Sequence, residues 1–380
     1  MADRYETSSL VQIRENRYST GLYEKRGLTI LRGEGSYLWD ERGARYIDCT
    51  SGNGTANVGH ANPSVVAAIN EQAHRLTSCP ESFYNDKRAE LLEKLSDFTP
   101  DFTTRFLLCN SESEAIESAI RFARTTTGRS QIIMFAGSTH SVPAGQTTRQ
   151  SGLLRARYND MRGATTAISD RTAAVVIEMV QGDNGVVPAS GEFVKQVAKV
   201  CQQRRALLIV DETVTGFGRT GQMLALEHFE LQPDIITMAN SIASGLPMGV
   251  VAITKAIGDK LVKLPLASAF AGNPIACAAA CATIDYIREF ALADRAREMG
   301  DYFIAQLKQI DSPKIKDVRG LGLFIGLEVS TGSEDIVQAL AAQGILVSSG
   351  GRNTVRFLPP LVISKEDLDS VIEKTALVLK

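Results

Sequence analysis

The chain has 380 residues, 44% of them hydrophobic and 22% charged, and its formal net charge is −2 at pH 7. This length and composition are typical of a soluble globular protein with one large or two ordinary domains. The small net charge argues against nucleic acid or an anionic membrane as the main partner. The sequence has no apolar run of about 18 residues and no signal-peptide pattern at its start, so we expect a cytoplasmic protein.

The first predicted element is a β-hairpin in residues 35–52, where two β-rich runs flank the turn sequence DERG. The run RFLLC at 105–109 then predicts a strand, and the following NSESEAIESAIRFART predicts a helix. Ser111 and Glu114 have the spacing of a capping box, and apolar residues at 115, 116, 119 and 120 mark one helical face.

The middle of the chain alternates short β-rich runs with helix-length segments. The runs are QIIMF, AAVVIE, ALLIVDE and DIITMA. This alternation predicts an α/β fold, in which a mainly parallel sheet has helices on both faces.

The last hundred or so residues predict a smaller α+β unit. Long helical patterns begin near residue 275, and GLGLFIGLEV, GILVSS and TVRFLPPLVI suggest the strands of a small sheet. We therefore expect a large α/β domain over residues 46–275 and a small domain that combines residues 1–45 with 276–380.

The cysteines and histidines do not predict a metal site. No two of the six cysteines form a CxxC pair, and the four histidines are scattered. Cys277 and Cys281 have i, i+4 spacing in an Ala-rich helical stretch, which favours buried thiols over metal ligands.

Acidic residues follow two of the predicted strands. Glu178 ends AAVVIE, and Asp211 and Glu212 end ALLIVDE. A single acid at such a position is more often a helix cap or a surface group. Here the glycine-containing segments QGDNG and TGFGRTG come shortly after them, and open α/β sheets bind ligands at the carboxyl ends of their strands. We therefore expect a pocket at this sheet edge.

Nine motifs occur in order between residues 32 and 364, within a similarity that extends from about residue 20 to the C-terminus. They are RGEGSYLWDERGARYIDCTSG, NVGHANPSVVAAI, FLLCNSESEAIESAIRFAR, IEMVQGDNGVVP, LLIVDETVTGFGRTG, DIITMANSIASGLPMG, AFAGNPIACAAA, VRGLGLFIGLE and VRFLPPLVIS. Together they resemble the class III, fold-type I, pyridoxal-phosphate-dependent aminotransferases, and the acetylornithine and ornithine types are the most similar.

The resemblance implies a fold and an activity. The fold is a large, mainly parallel α/β domain with a smaller α+β domain, in a homodimer whose active sites lie between the subunits. The activity is transfer of an amino group, with pyridoxal phosphate as cofactor, from an ornithine-like ω-amino donor to a 2-oxo acid.

Asn240 stands where the family has the lysine that forms the Schiff base with the cofactor and moves the substrate's α-proton. Asp234 before it and the GLP turn at 245–247 after it define the register, and the next lysine is Lys255. The lone pair of an amide nitrogen is delocalised into the carbonyl. Asn240 therefore can neither condense with an aldehyde nor accept a proton near neutral pH.

A second departure falls on the family's phosphate cradle, SG(T/A/S)EA, which reads Ser111, Glu112 and Ser113 followed by EA. Glu112 replaces a glycine at the point where backbone N–H groups approach the phosphate. Its carboxylate is expected to repel a phosphate by roughly 4 kcal/mol per unit charge at about 4 Å and an effective dielectric constant near 20.

Two more departures lie in the segment that follows QIIMF. Thr139 replaces the aromatic residue that stacks on the pyridine ring in the family, whereas the histidine after it is kept as His140. Val142 replaces an arginine that many members use to bind a substrate carboxylate.

Three departures lie further along the chain. Thr213 and Val214 replace a valine that packs on the ring and a glutamine that contacts its 3′-oxygen. Ala269 replaces the threonine that a partner subunit sends to the phosphate.

Four acidic and basic residues of the family pattern have counterparts here. Asp211 matches the aspartate that pairs with the protonated pyridine nitrogen, Glu178 matches the acid of the family's IEP motif, and Arg356 matches the arginine that binds an α-carboxylate. Asp183 stands where ornithine-type members have a glutamate that pairs with this arginine. Aspartate is one methylene shorter, which leaves that pairing open.

Each departure alone fits drift within a tolerant family, but together they predict a weakened or lost cofactor site. A repurposed pocket and a deliberately redesigned one both fit the pattern. Three hypotheses are open: an aminotransferase descendant without normal transamination; a non-catalytic binding or structural protein on the same scaffold; and an enzyme that holds pyridoxamine phosphate, or pyridoxal phosphate without a covalent bond, and uses His140 as its base.

Overall fold

A computed structural model describes residues 9–138, 152–261 and 268–380. Its strands are β1 (Ile30–Glu34), β2 (Tyr37–Asp40), β3 (Arg45–Asp48), β4 (Thr103–Cys109), β5 (Gln131–Phe135), β6 (Leu153–Ala156), β7 (Thr172–Glu178), β8 (Val180–Gln181), β9 (Val187–Pro188), β10 (Leu207–Asp211), β11 (Ile235–Ala239), β12 (Gly249–Thr254), β13 (Ile315–Leu321), β14 (Phe324–Val329), β15 (Ile345–Leu346), β16 (Ser348–Ser349) and β17 (Thr354–Phe357). Its helices are α1 (Leu10–Tyr18), α2 (Ser51–Gly54), α3 (Pro63–Arg75), α4 (Asp86–Phe98), α5 (Glu112–Thr127), α6 (Met161–Ala167), α7 (Gly191–Arg204), α8 (Lys255–Leu261), α9 (Pro274–Glu289), α10 (Leu292–Lys308), α11 (Ser333–Ala342) and α12 (Lys365–Leu379), with 3-10 turns at Ala225–Phe229 and Asn240–Ala243.

The largest sheet has seven strands in the order β4-β12-β11-β10-β7-β5-β6. Within it β12 runs antiparallel to β11 and β4, and the other neighbouring pairs are parallel. The four predicted runs in the middle of the chain are β5, β7, β10 and β11. The prediction of a mainly parallel α/β sheet is therefore confirmed.

Helices cover both faces of this sheet. Every residue of β7 is buried, as expected for a central strand of a parallel sheet. Val175 and Ile177 share one core cluster with Phe193 of α7. Val176 shares another with Phe122 of α5. Because alternate residues of a strand point to opposite faces, α5 and α7 lie on opposite sides of β7.

Helix α5 begins directly after β4, and only half of the predicted capping box is present. The Ser111 hydroxyl accepts a hydrogen bond from the Glu114 backbone N–H at 3.2 Å. The Glu114 carboxylate accepts from the Asn110 backbone N–H at 2.9 Å instead of returning to Ser111. The helix ends at Gly128, whose left-handed backbone (φ 68°) suits glycine. The N-terminal turn of α5 therefore faces the carboxyl edge of the sheet.

The N-terminal hairpin forms as predicted, because β2 and β3 pair antiparallel across residues 41–44. The assignment of GILVSS to the C-terminal sheet is wrong for its first half. β15 pairs in parallel with β3, whereas β16 joins the sheet ordered β13-β14-β17-β16. The free edge of β3 supplies backbone partners for the buried pair Ile345 and Leu346, which a local pattern does not reveal.

The segment after β10 is tied to the C-terminal sheet by a buried arginine. The Arg219 guanidinium donates to the Leu323 carbonyl at 3.0 Å, to the Pro359 carbonyl, and to Asn57 Oδ1 at 2.7 Å. Burial lowers the pKa of Arg219 to about 9. This guanidinium therefore links three segments that are distant in sequence.

The two cysteines of α9, Cys277 and Cys281, are buried free thiols, in agreement with the sequence-based interpretation. Burial raises the pKa of each to about 12. Throughout the described ranges, no helix combines the length and apolar character that crossing a bilayer requires.

Candidate functional site

A cavity of about 350 Å³ lies between the N-terminus of α5 and the end of β11. Three of the predicted site residues from the cradle motif, Ser111, Glu112 and Ser113, lie on its wall together with Asn240. Sequence reasoning did not assign the other lining residues to the site; they are Thr55, Asn110, Gly245, Leu246, Pro247 and Met248. All but Thr55 lie within the quoted family motifs, so membership of a motif was the available signal.

Asn240 occupies the first position after β11 and has a left-handed backbone with φ 54°. Asparagine adopts this conformation more readily than most residues with a side chain. Its amide Nδ2 donates a hydrogen bond to Glu112 Oε2 at 3.0 Å. The two departures that the sequence places 128 positions apart are therefore in direct contact.

Glu112 is the first residue of α5, and Ser111 is its N-cap. The partial positive charge of a helix N-terminus stabilises an acidic side chain in the first turn. The same N–H groups and dipole attract phosphates and other anions. Glu112 therefore brings a negative charge to the place where the helix would otherwise attract an anionic group.

The strand edge on the other side of β11 holds the buried carboxylate of Asp211. Its Oδ1 accepts from the Thr213 backbone N–H at 2.9 Å and from the Thr237 hydroxyl at 2.8 Å, and its Oδ2 accepts from the Thr213 hydroxyl at 3.0 Å. Asp211 is also in register with Glu178 on β7. Thr237, which sequence reasoning missed, is the cross-strand neighbour of Asp211.

Glu212, next to Asp211, is fully buried. Burial raises the pKa of Glu212 to about 7, and hydrogen bonds from the Thr215 hydroxyl and from the Leu226 backbone N–H oppose that rise. The carboxyl therefore changes its charge near neutral pH beside the candidate site.

Arg356 and Asp183 form an ion pair, in which Nη1 and Oδ1 are 2.7 Å apart. The shorter aspartate side chain thus reaches the arginine. The Arg356 Nε also donates to Ser348 Oγ at 3.0 Å, on the neighbouring strand. The Arg356 side chain is 13% exposed and that of Asp183 is 51% exposed, so this pair borders solvent.

The remaining predicted site residues fall elsewhere. Val214 is half-buried and packs against an apolar cluster that includes Phe324. Ala269 is exposed and lines a different cavity, of about 720 Å³, together with Pro80 and Glu81. The predicted positions Thr139, His140 and Val142 lie outside the described residues.

A profile of the family described as "Aminotransferase class-III" matches residues 22–149 and 148–379. The chain is 40% identical over 374 residues to a [LysW]-aminoadipate semialdehyde transaminase of Deinococcus radiodurans, covering 94% of this chain and 87% of that protein. It is 36% identical over 373 residues to an acetylornithine aminotransferase of Archaeoglobus fulgidus, covering 95% and 98%. The chain belongs to the class-III aminotransferase family.

Solved structures agree with this assignment. An ornithine aminotransferase of Toxoplasma gondii, described as having partial occupancy of PLP at its active site, superposes with a TM-score of 0.91 at 29% identity, covering 97% of this chain and 92% of that one. An acetylornithine aminotransferase of Elizabethkingia anophelis gives a TM-score of 0.87 at 28% identity, covering 97% of each chain. The fold is that of a fold-type I enzyme, and pyridoxal phosphate is the cofactor that the family brings.

The described residues suit that cofactor at the Asp211 end of the site and not at the Glu112 end. Asp211 is a buried carboxylate at the carboxyl edge of the sheet, suited to a protonated ring nitrogen. None of the described residues that line the α5 cavity is a lysine, and position 240 carries an amide. Glu112 adds a carboxylate where a phosphate would meet the helix N-terminus. Within the described part of the chain, the residues of this cavity therefore do not fit a covalently held, phosphate-bearing cofactor.

Proposed function

We propose that this chain is a class-III aminotransferase scaffold in which ordinary transamination is lost or strongly reduced. The observation that carries the proposal is the hydrogen bond from Asn240 Nδ2 to Glu112 Oε2 at 3.0 Å. The only nitrogen that the position-240 side chain offers is an amide, which does not condense with a carbonyl, and it is engaged with a carboxylate. The parent reaction transfers an amino group from an ornithine-like ω-amino donor to a 2-oxo acid.

The substrate class is proposed from the relatives and from one ion pair. The relatives named above are a [LysW]-aminoadipate semialdehyde transaminase and an acetylornithine aminotransferase. Arg356 offers a planar guanidinium suited to an α-carboxylate, and the half-exposed Asp183 is a partner that an incoming carboxylate would displace. This favours an amino-acid ligand at the Arg356 end of the site.

A cytoplasmic homodimer is part of the same proposal. Each subunit would have its large domain at 46–275 and its small domain at 1–45 and 276–380. Phe83, Tyr84 and Phe270 are exposed and adjoin in sequence the residues that line the cavity of Ala269. Large exposed aromatic side chains that lie together favour a protein partner. Analytical ultracentrifugation tests this point, and a monomer at micromolar concentration would contradict it.

The activity is tested with ornithine or acetylornithine as donor, 2-oxoglutarate as acceptor and saturating pyridoxal phosphate. We expect a rate no higher than that of free pyridoxal phosphate in buffer, and no cofactor mass fixed to the protein by borohydride. Turnover of about 1 s⁻¹ or more, the lower range for enzymes, would overturn the proposal.

A second candidate function is a non-catalytic binding or structural protein on the same scaffold. It is favoured by the position of Glu112, which disfavours a phosphate in the cavity. Calorimetric titration with pyridoxal phosphate separates the two candidates. If the unmodified protein binds pyridoxal phosphate with a sub-micromolar Kd, the non-catalytic candidate is excluded and the inactive aminotransferase remains.

A further inference from the structure

We propose that Glu112 and Asn240 act as one coupled pair that excludes phosphate-bearing ligands, so that Asn240→Lys alone would not restore covalent attachment of the cofactor. This inference rests on the proposed function and deepens it, because it assigns Glu112 as a specificity-determining residue of the same cavity. Both side chains line that cavity, and their polar atoms are 3.0 Å apart.

Of the two acids in the first turn of α5, Glu112 is the one directed at the cavity. Glu114 turns back, and its carboxylate accepts from the backbone N–H and the side-chain amide of Asn110, both at 2.9 Å. Glu114 therefore serves the helix end. Glu112 holds its charge between the helix N-terminus and Asn240.

An anionic ligand at this helix end would share the cavity with the Glu112 carboxylate. The Glu112 carboxylate already interacts with the positive end of the helix dipole. A phosphate in the same cavity would lie beside this like charge and be repelled by it. A ligand with the same ring but no phosphate lacks this penalty.

The same carboxylate would disable an amine introduced at position 240. An ammonium group in contact with Glu112 is stabilised in its charged form, so its nitrogen lone pair is unavailable to attack a carbonyl. Removing the Glu112 charge and introducing the amine are therefore expected to be strongly non-additive, as contacting residues usually are.

The test compares Asn240→Lys, Asn240→Lys/Glu112→Gln and the matched control Asn240→Lys/Glu117→Gln. Glu117 is an exposed acid on the same helix, so its replacement removes one charge without touching the Asn240 contact. Each protein is incubated with pyridoxal phosphate or with pyridoxal, reduced with borohydride, and the mass fixed on the peptide containing position 240 is measured.

We expect Asn240→Lys/Glu112→Gln to fix pyridoxal phosphate at least about tenfold faster than Asn240→Lys and its Glu117 control. The gain with pyridoxal should be smaller, because that probe carries no phosphate. Equal labelling of Asn240→Lys and Asn240→Lys/Glu112→Gln by pyridoxal phosphate would overturn the inference. The proposed function would survive that result, since it concerns the unmodified protein.

A second measurement covers the case in which lysine does not tolerate the left-handed backbone at position 240. Glu112→Gln in the Asn240 background is titrated calorimetrically with both probes. Affinity for pyridoxal phosphate should rise by about tenfold while affinity for pyridoxal stays unchanged. No change for either probe would contradict the role given to Glu112.

Discussion

The two ends of the candidate site differ in how much the fold depends on them. Asp211 is buried and accepts hydrogen bonds from its own neighbour Thr213 and from Thr237 on the adjacent strand. At the other end, Glu112 and Asn240 are half-buried and meet through a hydrogen bond between two side chains.

This contrast indicates which end of the site can be substituted without loss of the fold. The strand-edge end must satisfy buried polar groups whether or not a ligand is present. The helix end faces a cavity, where side chains can be replaced without leaving buried groups unpaired. We therefore expect substitutions at the Asp211 end to cost stability and substitutions at the Glu112 end to change ligand binding alone.

The largest stability effect should come from Asp211→Ala. It leaves the Thr213 N–H and the Thr237 hydroxyl without their buried acceptor, and we expect a loss of about 3 to 4 kcal/mol in the free energy of unfolding. Urea denaturation measures it. Thr237→Val, which removes one donor, should cost about 1 kcal/mol. If the two variants lost equal free energies of unfolding, Asp211 would not be the buried acceptor on which this end of the site depends.

The next largest effect is the pH dependence that Glu212 gives to the free energy of unfolding. Its pKa is raised to about 7 in the folded protein, above the ordinary value of 4.5, so the native state holds a proton that the unfolded chain releases. Stability should therefore fall as pH rises from 4.5 through 7, by on the order of 3 kcal/mol from this group.

Glu212→Gln isolates this contribution. The difference in unfolding free energy between the variant and the parent protein should move in favour of the variant as pH rises from 5 to 8, because glutamine does not ionise. A difference that is flat with pH would show that Glu212 ionises normally in the folded protein.

A smaller effect is expected from Asp183→Asn. The Arg356–Asp183 pair borders solvent, with Asp183 half-exposed, so its loss should lower the unfolding free energy by about 0.5 kcal/mol or less. Affinity for an amino-acid carboxylate should rise, because Arg356 loses its competitor. Asp170→Asn, which breaks the exposed pair with Arg204, is the matched control and should leave ligand affinity unchanged.

The smallest stability effect should come from Glu112→Gln. An acid at the first helical position contributes through the helix dipole, and we expect a change within about 0.5 kcal/mol. Thermal unfolding at several salt concentrations measures it. A loss above about 2 kcal/mol would mean that Glu112 is structural, and the two ends would then be alike.

The architecture could be predicted from local patterns because β-rich runs and helix-length segments alternate along the chain. QIIMF, AAVVIE, ALLIVDE and DIITMA are the strands β5, β7, β10 and β11, and the family motifs extend over both halves of the fold. The half-present capping box at Ser111 and the pairing of β15 with β3 were not predicted, since each depends on a partner that local spacing does not specify.

The candidate site was predictable residue by residue but not as contacts. Asn240 and Glu112 were each identified as departures from a motif, and Asp183 and Arg356 as a pair of uncertain reach. The hydrogen bond from the Asn240 amide to Glu112, the hydrogen bonds from Thr213 and Thr237 to Asp211, and the Arg356–Asp183 ion pair emerge only in three dimensions.

The sequence by itself determined the alternation of strands and helices in the middle of the chain, the family, and the chemical fact that position 240 carries an amide. Tertiary structure alone decided that this amide rests on Glu112 and that Asp211 is held by Thr213 and Thr237. The reason is physical: periodicity and chemical type belong to single segments, whereas hydrogen bonds and burial depend on how distant segments pack.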